Sequence, residues 1–272
     1  MTIERSRLRA VVRLVLIVAV TILLLAPYIL CFSIWPRAHY AARSAWSRTV
    51  CRLLGLRVRV SGTAHPGGTA LFAANHVSYL DIPVLAGLHD GTFVAKSEVA
   101  DWPLLGLICK WGRTVFINRS PAEARAQTAL LRARLARGES LILFPEGTST
   151  DGSGVAPFKS SLFNIAEDLP PGTPLVVQPV SVAYVRALDG TPLVGPLTEL
   201  YCWYGGATLA PHLMRVCGLP GAVVDVRFHP PIAVASDVDR KSLARRCHAA
   251  VADGVAAAHG RALGPGRTAA VR

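Results

Sequence analysis

The chain has 272 residues, 51% of them apolar, and a formal net charge of +12 at pH 7. Its mean hydropathy of +0.39 is high for a soluble enzyme, and its length suits one catalytic domain plus a membrane segment. Residues 1–60 contain ten Arg and one Glu, which gives +9 of the +12. This charge lies beside an apolar stretch, and no helix-turn-helix, zinc or RNP-type signature occurs. The composition therefore favours a lipid surface over a nucleic acid as partner.

The apolar stretch is an uncharged run of 22 residues at 14–35. It is long enough to cross a hydrocarbon core of ~30 Å as a helix. It exceeds the h-region of a signal peptide, about 7 to 15 residues, and no small-x-small cleavage site follows it. We therefore expect it to stay in the membrane. The segment could cross the membrane once, or it could turn back at Pro27 as a re-entrant hairpin. Arginines flank it on both sides, so the distribution of charge does not indicate its orientation.

A second, amphipathic helix is predicted over residues 41–54, with Gly55 closing it. Its apolar residues gather near one face, and three arginines are expected elsewhere on the helix: Arg43, Arg48 and Arg52. We divide the chain into a membrane-associated helical segment (1–55), a catalytic domain (56–260) and a disordered tail (261–272).

The stretch Asn-His-Val-Ser-Tyr-Leu-Asp at 75–81 organises the rest of the chain. It follows an apolar run at 69–74 that is typical of a buried strand, and it precedes a short helix predicted over 82–88. A strand, a turn and a helix are therefore expected in immediate succession.

His76 and Asp81 are the residues of this stretch that can carry chemistry. The helix begins either with Ser78 as N-cap and Asp81 at N3 or, as Pro83 favours, with Asp81 as N-cap. In both cases His76 lies in the turn before the helix, where its ring can fold back onto the Asp81 carboxylate. Such a contact fixes the tautomer and makes the other ring nitrogen a better base. The competing interpretation is structural, with a satisfied histidine and a capping aspartate.

Three further strand-like blocks follow, at 112–119, 141–148 and 174–182, and the second stops abruptly in Pro-Glu-Gly. In this order and spacing, the four blocks resemble the motifs of the lysophospholipid acyltransferase family typified by 1-acylglycerol-3-phosphate acyltransferases. The resemblance covers about residues 50–230.

The resemblance implies acyl transfer from a thioester of coenzyme A or acyl carrier protein to a lysolipid hydroxyl, with no other cofactor and no metal. Such a transfer needs a base and oxyanion donors but no nucleophilic serine or cysteine, and the chain contains no G-x-S-x-G elbow. His76, oriented by Asp81, is then the catalytic base. The substrate-binding residues implied are Asn75, Pro145, Glu146, Gly147 and Thr148.

Three cations are candidate contacts for an anionic headgroup: Lys96, Arg119 and Lys159. Solvated surface positions are the alternative for the two lysines. Enzymes that form phosphatidate usually have an arginine after Glu-Gly-Thr, where this chain has Ser149. With the downstream stretches Trp203-Tyr204-Gly205 and Pro211-His212-Leu213, this variation resembles the bacterial subgroup that O-acylates lyso-ornithine lipid. Arg119 leaves a phosphate-bearing acceptor open.

Alternating helices and apolar strands predict an α/β fold with a sheet flanked by helices. The fourth block and residues 222–228 are consecutive strand-like segments without a clear helix repeat, so we expect a mixed β-sheet. Residues 98–110 form an apolar helical patch, either core or the floor of an acyl groove. A helix is predicted at 121–137, with three leucines on one side: Leu130, Leu131 and Leu135. A last helix, capped within 236–239, should run to about Ala258. The six cysteines form no C-x-x-C pair, so we expect reduced thiols.

The family resemblance implies an N-terminal helical pair embedded from the cytoplasmic side, which would place the catalytic domain on the cytoplasmic face of the cell inner membrane. Two other function classes compete. A membrane-anchored esterase or thioesterase would use the same histidine to activate water, and a non-catalytic adaptor would not need His76, Asp81 and Glu146 together.

Overall fold

The structure is a computed structural model, and it describes residues 3–34, 38–66, 69–102, 105–118, 124–167, 175–234 and 238–263. For residues 25–34, 38, 124 and 261–263 it describes the backbone alone. Several predicted features lie outside the described residues: Arg119, the start of the 121–137 helix, Pro174, the pair 236–237 and the tail from 264 onward.

Within these ranges the chain forms helices and strands in alternation. The helices are α1 (Arg7–Ile34), α2 (Ala38–Leu53), α3 (Asp81–Ala86), α4 (Leu105–Trp111), α5 (Ala124–Ala136), α6 (Leu209–Gly218) and α7 (Arg240–Leu263). The strands are β1 (Leu56–Ser61), β2 (Ala70–Ala74), β3 (Thr92–Lys96), β4 (Val115–Ile117), β5 (Leu141–Leu143), β6 (Val176–Ala187), β7 (Ala222–Phe228) and β8 (Ile232–Ala233). Short 3-10 helices occupy Ser97–Asp101, Ser160–Ala166 and Gly195–Leu200.

The strands form one sheet in the order β1-β7-β6-β2-β5-β3-β4, with β8 paired to β6. Pairing is parallel except where β6 meets β7 and β8. The predicted mixed sheet is therefore confirmed. Strands β2, β5, β3 and β4 are parallel neighbours, so their carboxyl ends meet at one edge, which is where open α/β sheets bind ligands.

Helices cover both faces of the sheet, as predicted. Side chains alternate along β2, so Phe72 joins the apolar cluster that contains residues of α1, α2, α3 and α6. The next position back, Leu71, joins a second cluster with Leu135 of α5 and Leu243 of α7. The sheet edge that carries the first motif thus lies between two separate apolar cores.

Helices α1 and α2 pack together as the expected N-terminal pair, joined by a 3.0 Å hydrogen bond from Trp46 Nε1 to Thr21 Oγ1. Helix α1 continues through position 27, so the alternative with a break at Pro27 is wrong. Its outer face exposes large apolar side chains: Leu8, Val11, Val12, Val15, Leu16, Val18, Ile22 and Leu23. No helix among the described residues combines the length and apolarity that crossing a bilayer requires.

The prediction for Arg43 is wrong, because this arginine is buried with only 8% of its surface exposed. Its spacing explains this: Arg43, Ser47, Val50 and Leu54 recur at steps of four, three and four on one helical face. The guanidinium donates a 3.2 Å hydrogen bond to the carbonyl of His89 and lies over two aromatic rings, Tyr40 and Phe93.

Two helices differ in detail from their predictions. Leu135 of α5 is buried, but Leu130 is 43% exposed because five residues turn a helix by about 140°. Helix α7 is capped by Asp239, whose carboxylate accepts the N–H groups of Lys241 and Ser242. It extends to Leu263 rather than Ala258. The five cysteines whose side chains the structure describes are all free and buried: Cys51, Cys109, Cys202, Cys217 and Cys247.

Candidate active site

The turn between β2 and α3 is shaped by the Asp81 carboxylate. Helix α3 begins at Asp81 itself, with Leu80 at the N-cap position and no side-chain cap. Both predicted capping schemes are therefore wrong in detail. Instead of capping the helix, Oδ2 of Asp81 reaches back to accept the N–H groups of Val77 at 2.8 Å and Ser78 at 3.0 Å. This closes the turn in which His76 stands.

The predicted contact between His76 and Asp81 is present, with 2.9 Å between Nδ1 and Oδ2. Asp81 is fully buried, whereas the His76 side chain is 19% exposed. The neutral ring donates from Nδ1 to the carboxylate, so Nε2 carries the lone pair. Among the residues that the structure describes, Nε2 has no hydrogen-bond partner. Phe144 stacks on the ring, with centroids 4.1 Å apart, and helps to hold its plane.

Tyr184 of β6 completes the surroundings of Asp81, and the sequence analysis did not identify it. Its hydroxyl donates a 3.1 Å hydrogen bond to Oδ1, the oxygen that His76 does not use. Burial and the neighbouring Asp81 keep the pKa of Tyr184 well above its ordinary value, so the hydroxyl remains a donor. Among the described residues, Asp81 therefore has four hydrogen-bond donors and forms no ion pair other than with His76.

Glu146 is placed directly behind His76, in the turn that follows β5. Its Oε1 accepts the backbone N–H of His76 at 2.6 Å, and its Oε2 accepts the N–H of Ala156 at 2.7 Å. The side chain is 2% exposed, and burial raises its pKa to about 7. Gly147 makes the turn possible with φ at +73°. In this arrangement Glu146 fastens two loops together, and neither oxygen is open to an acceptor.

The prediction that Asn75 contacts the substrate is not supported by its surroundings. It is 1% exposed, and its amide joins β2 to β6 by accepting from Val182 N at 2.8 Å and donating to Val182 O at 2.9 Å. Its two polar groups are therefore used within the sheet, and it sets the strand end from which His76 projects.

The remaining predicted residues lie at different depths. Pro145 is buried, and its carbonyl accepts the N–H of Lys159 at 2.9 Å. The side chains of Thr148 and Lys159 are exposed. Lys96 ends β3 half-buried, at the same sheet edge as His76 because β3 and β2 both run parallel to β5.

The two downstream stretches of the sequence analysis surround the first motif. The backbone N–H of Trp203 donates to the carbonyl of Val77 at 2.8 Å, and Ser149 Oγ donates to the carbonyl of Trp203. On α6, His212 Nδ1 lies 3.0 Å from the hydroxyl of Tyr79. Burial lowers the pKa of His212 to about 4, so this ring is neutral at pH 7. The hydroxyl of Ser149 is thus engaged in a hydrogen bond between two loops.

An apolar cavity of about 390 Å³ lies on the side of the sheet covered by α1 and α2, and His76 is not among the residues that line it. Tyr79 and Leu80 of the first motif line it, together with Phe93, which stacks at 6.2 Å on the ring of Phe144. Ile108 of α4 also lines the cavity. The 98–110 patch therefore lines an apolar cavity, and its role as the floor of an acyl groove stays a prediction.

Known proteins are similar to this chain in sequence and in fold. The family described as Acyltransferase matches residues 56–183. A lyso-ornithine lipid O-acyltransferase of Brucella abortus is 39% identical over 202 residues, 73% of this chain and 75% of its own length. Its counterpart in Rhodobacter capsulatus is 41% identical over 224 residues, which cover 80% and 78% of the two chains.

The crystal structure of the 1-acyl-sn-glycerophosphate acyltransferase from Thermotoga maritima superposes with a TM-score of 0.65, covering 92% of this chain and 94% of that one. At 22% identity this likeness supports the fold. The family is shown by the sequence relatives, which match along most of both chains. The chain belongs to the acyltransferase family and is an acyltransferase.

Proposed function

We propose that the chain transfers a fatty acyl group from an acyl thioester to the free hydroxyl of a lysolipid, with His76 as general base. The observation that carries the proposal is the 2.9 Å contact between His76 Nδ1 and a fully buried Asp81, on a histidine whose side chain is 19% exposed. A base oriented in this way suits proton abstraction from a hydroxyl.

The reaction then runs in two steps. His76 Nε2 takes the hydroxyl proton while the oxygen attacks the thioester carbonyl, and Asp81 stabilises the imidazolium that forms. When the tetrahedral intermediate collapses, the C–S bond breaks and the imidazolium returns its proton to the departing thiolate. The products are the ester and the free thiol carrier. No covalent acyl-enzyme is needed, because the thioester is already activated.

The apolar cavity supports an acyl substrate. It reaches Tyr79 and Leu80 of the first motif, and its walls come from apolar helices. Each methylene group buried there would contribute about 0.8 kcal/mol to binding. We assign this cavity to a fatty acyl chain whose reactive end lies at His76.

Lyso-ornithine lipid is the acceptor we propose, because two relatives that match most of the chain carry that name. The loop contact between Ser149 and Trp203 adds support, since it joins two stretches that differ from phosphatidate-forming enzymes. 1-Acylglycerol-3-phosphate is the competing acceptor. The donor is an acyl-CoA or acyl-ACP thioester, and the expectation of no other cofactor and no metal stays a prediction.

We further propose that the chain works at the cell inner membrane, with the catalytic domain on the cytoplasmic side and no nucleic-acid partner. The exposed apolar face of α1 supports lipid contact, because contiguous apolar patches of this kind mark interaction surfaces. Flotation with vesicles tests it. Loss of flotation on replacing Val15 and Ile22 by Glu would support the proposal, and unchanged flotation would contradict it.

Acyl transfer by the purified protein in detergent tests the reaction. Lyso-ornithine lipid and 1-acylglycerol-3-phosphate are offered side by side with acyl-ACP and acyl-CoA. His76→Ala should abolish transfer, whereas His65→Ala should leave it unchanged, because His65 lies in the loop before β2 and its described contact is to the side chain of Gln178. Turnover retained in folded His76→Ala would refute the base. Release of free carrier at the same rate without a lysolipid would indicate a thioesterase instead.

A further inference from the structure

A second cleft, of about 330 Å³, lies on the opposite side of the sheet from the apolar cavity. It opens between the loop before the 3-10 helix Ser160–Ala166 and the first turns of α7. Its polar lining consists of Ser160, Lys241, Arg245 and His248. None of the described residues that line it is acidic, so the cleft is basic.

Lys241 and Arg245 form no ion pair within 4.0 Å with any of the described residues. They are exposed and four residues apart, so they lie on one face of α7, where like charges repel. Asp239 at the helix start attracts both cations electrostatically, but its carboxylate accepts two backbone N–H groups. His248 holds the facing loop through Nε2, 3.1 Å from the carbonyl of Val155. An anion between the two cations would relieve their repulsion.

The cleft is connected to the catalytic turn through Glu146. One carboxylate joins the backbone N–H of His76 to that of Ala156 through hydrogen bonds of 2.6 and 2.7 Å. These two nitrogens are therefore within about 8 Å of each other by hydrogen-bond geometry. The cleft lining begins at the next residue, Pro157. A ligand in the cleft is thus one short loop away from His76.

We propose that this basic cleft binds the phosphate of the phosphopantetheine arm that carries the acyl thioester. The inference rests on the proposed acyl transfer and adds the donor's binding site. Pantetheine, built largely of amide units, spans roughly 15 Å when extended, by analogy with a peptide of four to five residues. That length suits a phosphate beside Arg245 and a sulfur beside His76. The acyl chain would then enter the apolar cavity on the other face of the sheet.

Coenzyme A and acyl carrier protein both present this phosphate, and kinetics can separate them. The double variant Lys241→Glu/Arg245→Glu is compared with the native protein in detergent, using acyl-CoA, acyl-ACP and acyl-N-acetylcysteamine, a thioester without phosphate. Arg246→Glu is the matched control, since Arg246 is exposed on α7 but does not line the cleft. Arg245→Gln serves if the double variant does not fold.

We expect kcat/KM with a phosphate-bearing donor to fall about ten-fold or more in the double variant, because charge-assisted hydrogen bonds are lost. The KM for the lysolipid and turnover of acyl-N-acetylcysteamine should be unchanged. Loss with both natural donors supports the shared phosphate, and loss with only one supports the cleft and identifies its carrier. An equal loss with acyl-N-acetylcysteamine, an equal loss in Arg246→Glu, or no loss at all would overturn the proposal.

Failure of the proposed transfer would look different. Native protein would then form no acylated lysolipid from any donor, whatever the charge at Lys241 and Arg245. Calorimetric binding of coenzyme A to the native chain and to the double variant would still test the cleft, with weaker binding in the variant as the expected result and equal binding as the contrary one.

Discussion

Tyr184 donates a 3.1 Å hydrogen bond to Oδ1 of Asp81, whereas the other three donors to this carboxylate all use Oδ2. The tyrosine belongs to β6, the neighbour of β2 in the sheet, so β6 helps to hold the pair formed by Asp81 and His76. A carboxylate satisfied on both oxygens keeps one orientation, and that orientation fixes the plane of the His76 ring.

Tyr184→Phe should lower kcat several-fold while leaving the KM for the lysolipid unchanged. Without the tyrosine hydroxyl, Oδ1 of Asp81 loses its donor, so the carboxylate holds the ring of His76 less firmly in one plane. Tyr201→Phe is the control, because Tyr201 stacks on Tyr184 with centroids 5.7 Å apart but does not touch Asp81. A folded Tyr184→Phe variant with native kcat would mean that the phenol contributes packing alone.

Asp81→Asn should reduce kcat by about 10² to 10⁴, the range observed when a general base or its orienting partner is lost. An asparagine has only one acceptor oxygen, so its amide N–H₂ group would face N–H or O–H donors that now bind the Asp81 carboxylate. The ring of His76 would then lose its preferred tautomer. The measurement is kcat with saturating lysolipid and thioester, with circular dichroism to verify folding. A folded variant with native kcat would remove Asp81 from the mechanism.

Glu146→Gln should lower kcat while leaving the KM for the lysolipid within about two-fold. A carboxamide has one oxygen and one donor group, so the N–H of either His76 or Ala156 would lose its acceptor, which costs about 1–3 kcal/mol. The catalytic turn would shift, but no direct contact with the acceptor would be lost. A large rise in KM with kcat unchanged would show instead that Glu146 binds the acceptor.

Burial raises the pKa of Glu146 from 4.5 to about 7. The folded state therefore binds a proton more tightly than the unfolded chain, so its stabilising contribution is complete below pH 4.5 and is lost as pH rises to about 7. The free energy of unfolding of the native protein, relative to Glu146→Gln, should fall over this window by an amount on the order of 3 kcal/mol. Denaturation at several pH values measures it, and a flat or rising difference would contradict the shift.

Asn75→Ala should destabilise the protein rather than weaken substrate binding. The substitution leaves the N–H and the carbonyl of Val182 buried without their present partners, at about 1–3 kcal/mol for each group. The expected result is a lower Tm with the KM for the lysolipid unchanged in the protein that remains folded. A native Tm together with a raised KM would instead indicate that Asn75 contacts the substrate.

Several features were predictable from sequence because they depend on neighbours along the chain. The apolar run before position 75 and Pro83 after it predict a strand, a turn and a helix, and this local order puts His76 within reach of Asp81. The alternation of strand and helix patterns predicts the α/β fold, and the strand-like segments at 174–182 and 222–228 predict the mixed sheet. The family resemblance follows from the spacing of the four motifs.

Other features were decided by the tertiary structure alone. Tyr184 meets Asp81 from 103 residues away, and Glu146 meets His76 from 70, because the strand order places β6 and β5 on either side of β2. Sequence spacing contains no information on that order. Burial decided the rest: a glutamate expected to bind the acceptor is enclosed by two backbone donors, and Arg43 turns inward with the apolar face of α2. In each case the contacts come from packing between elements, which no local pattern records.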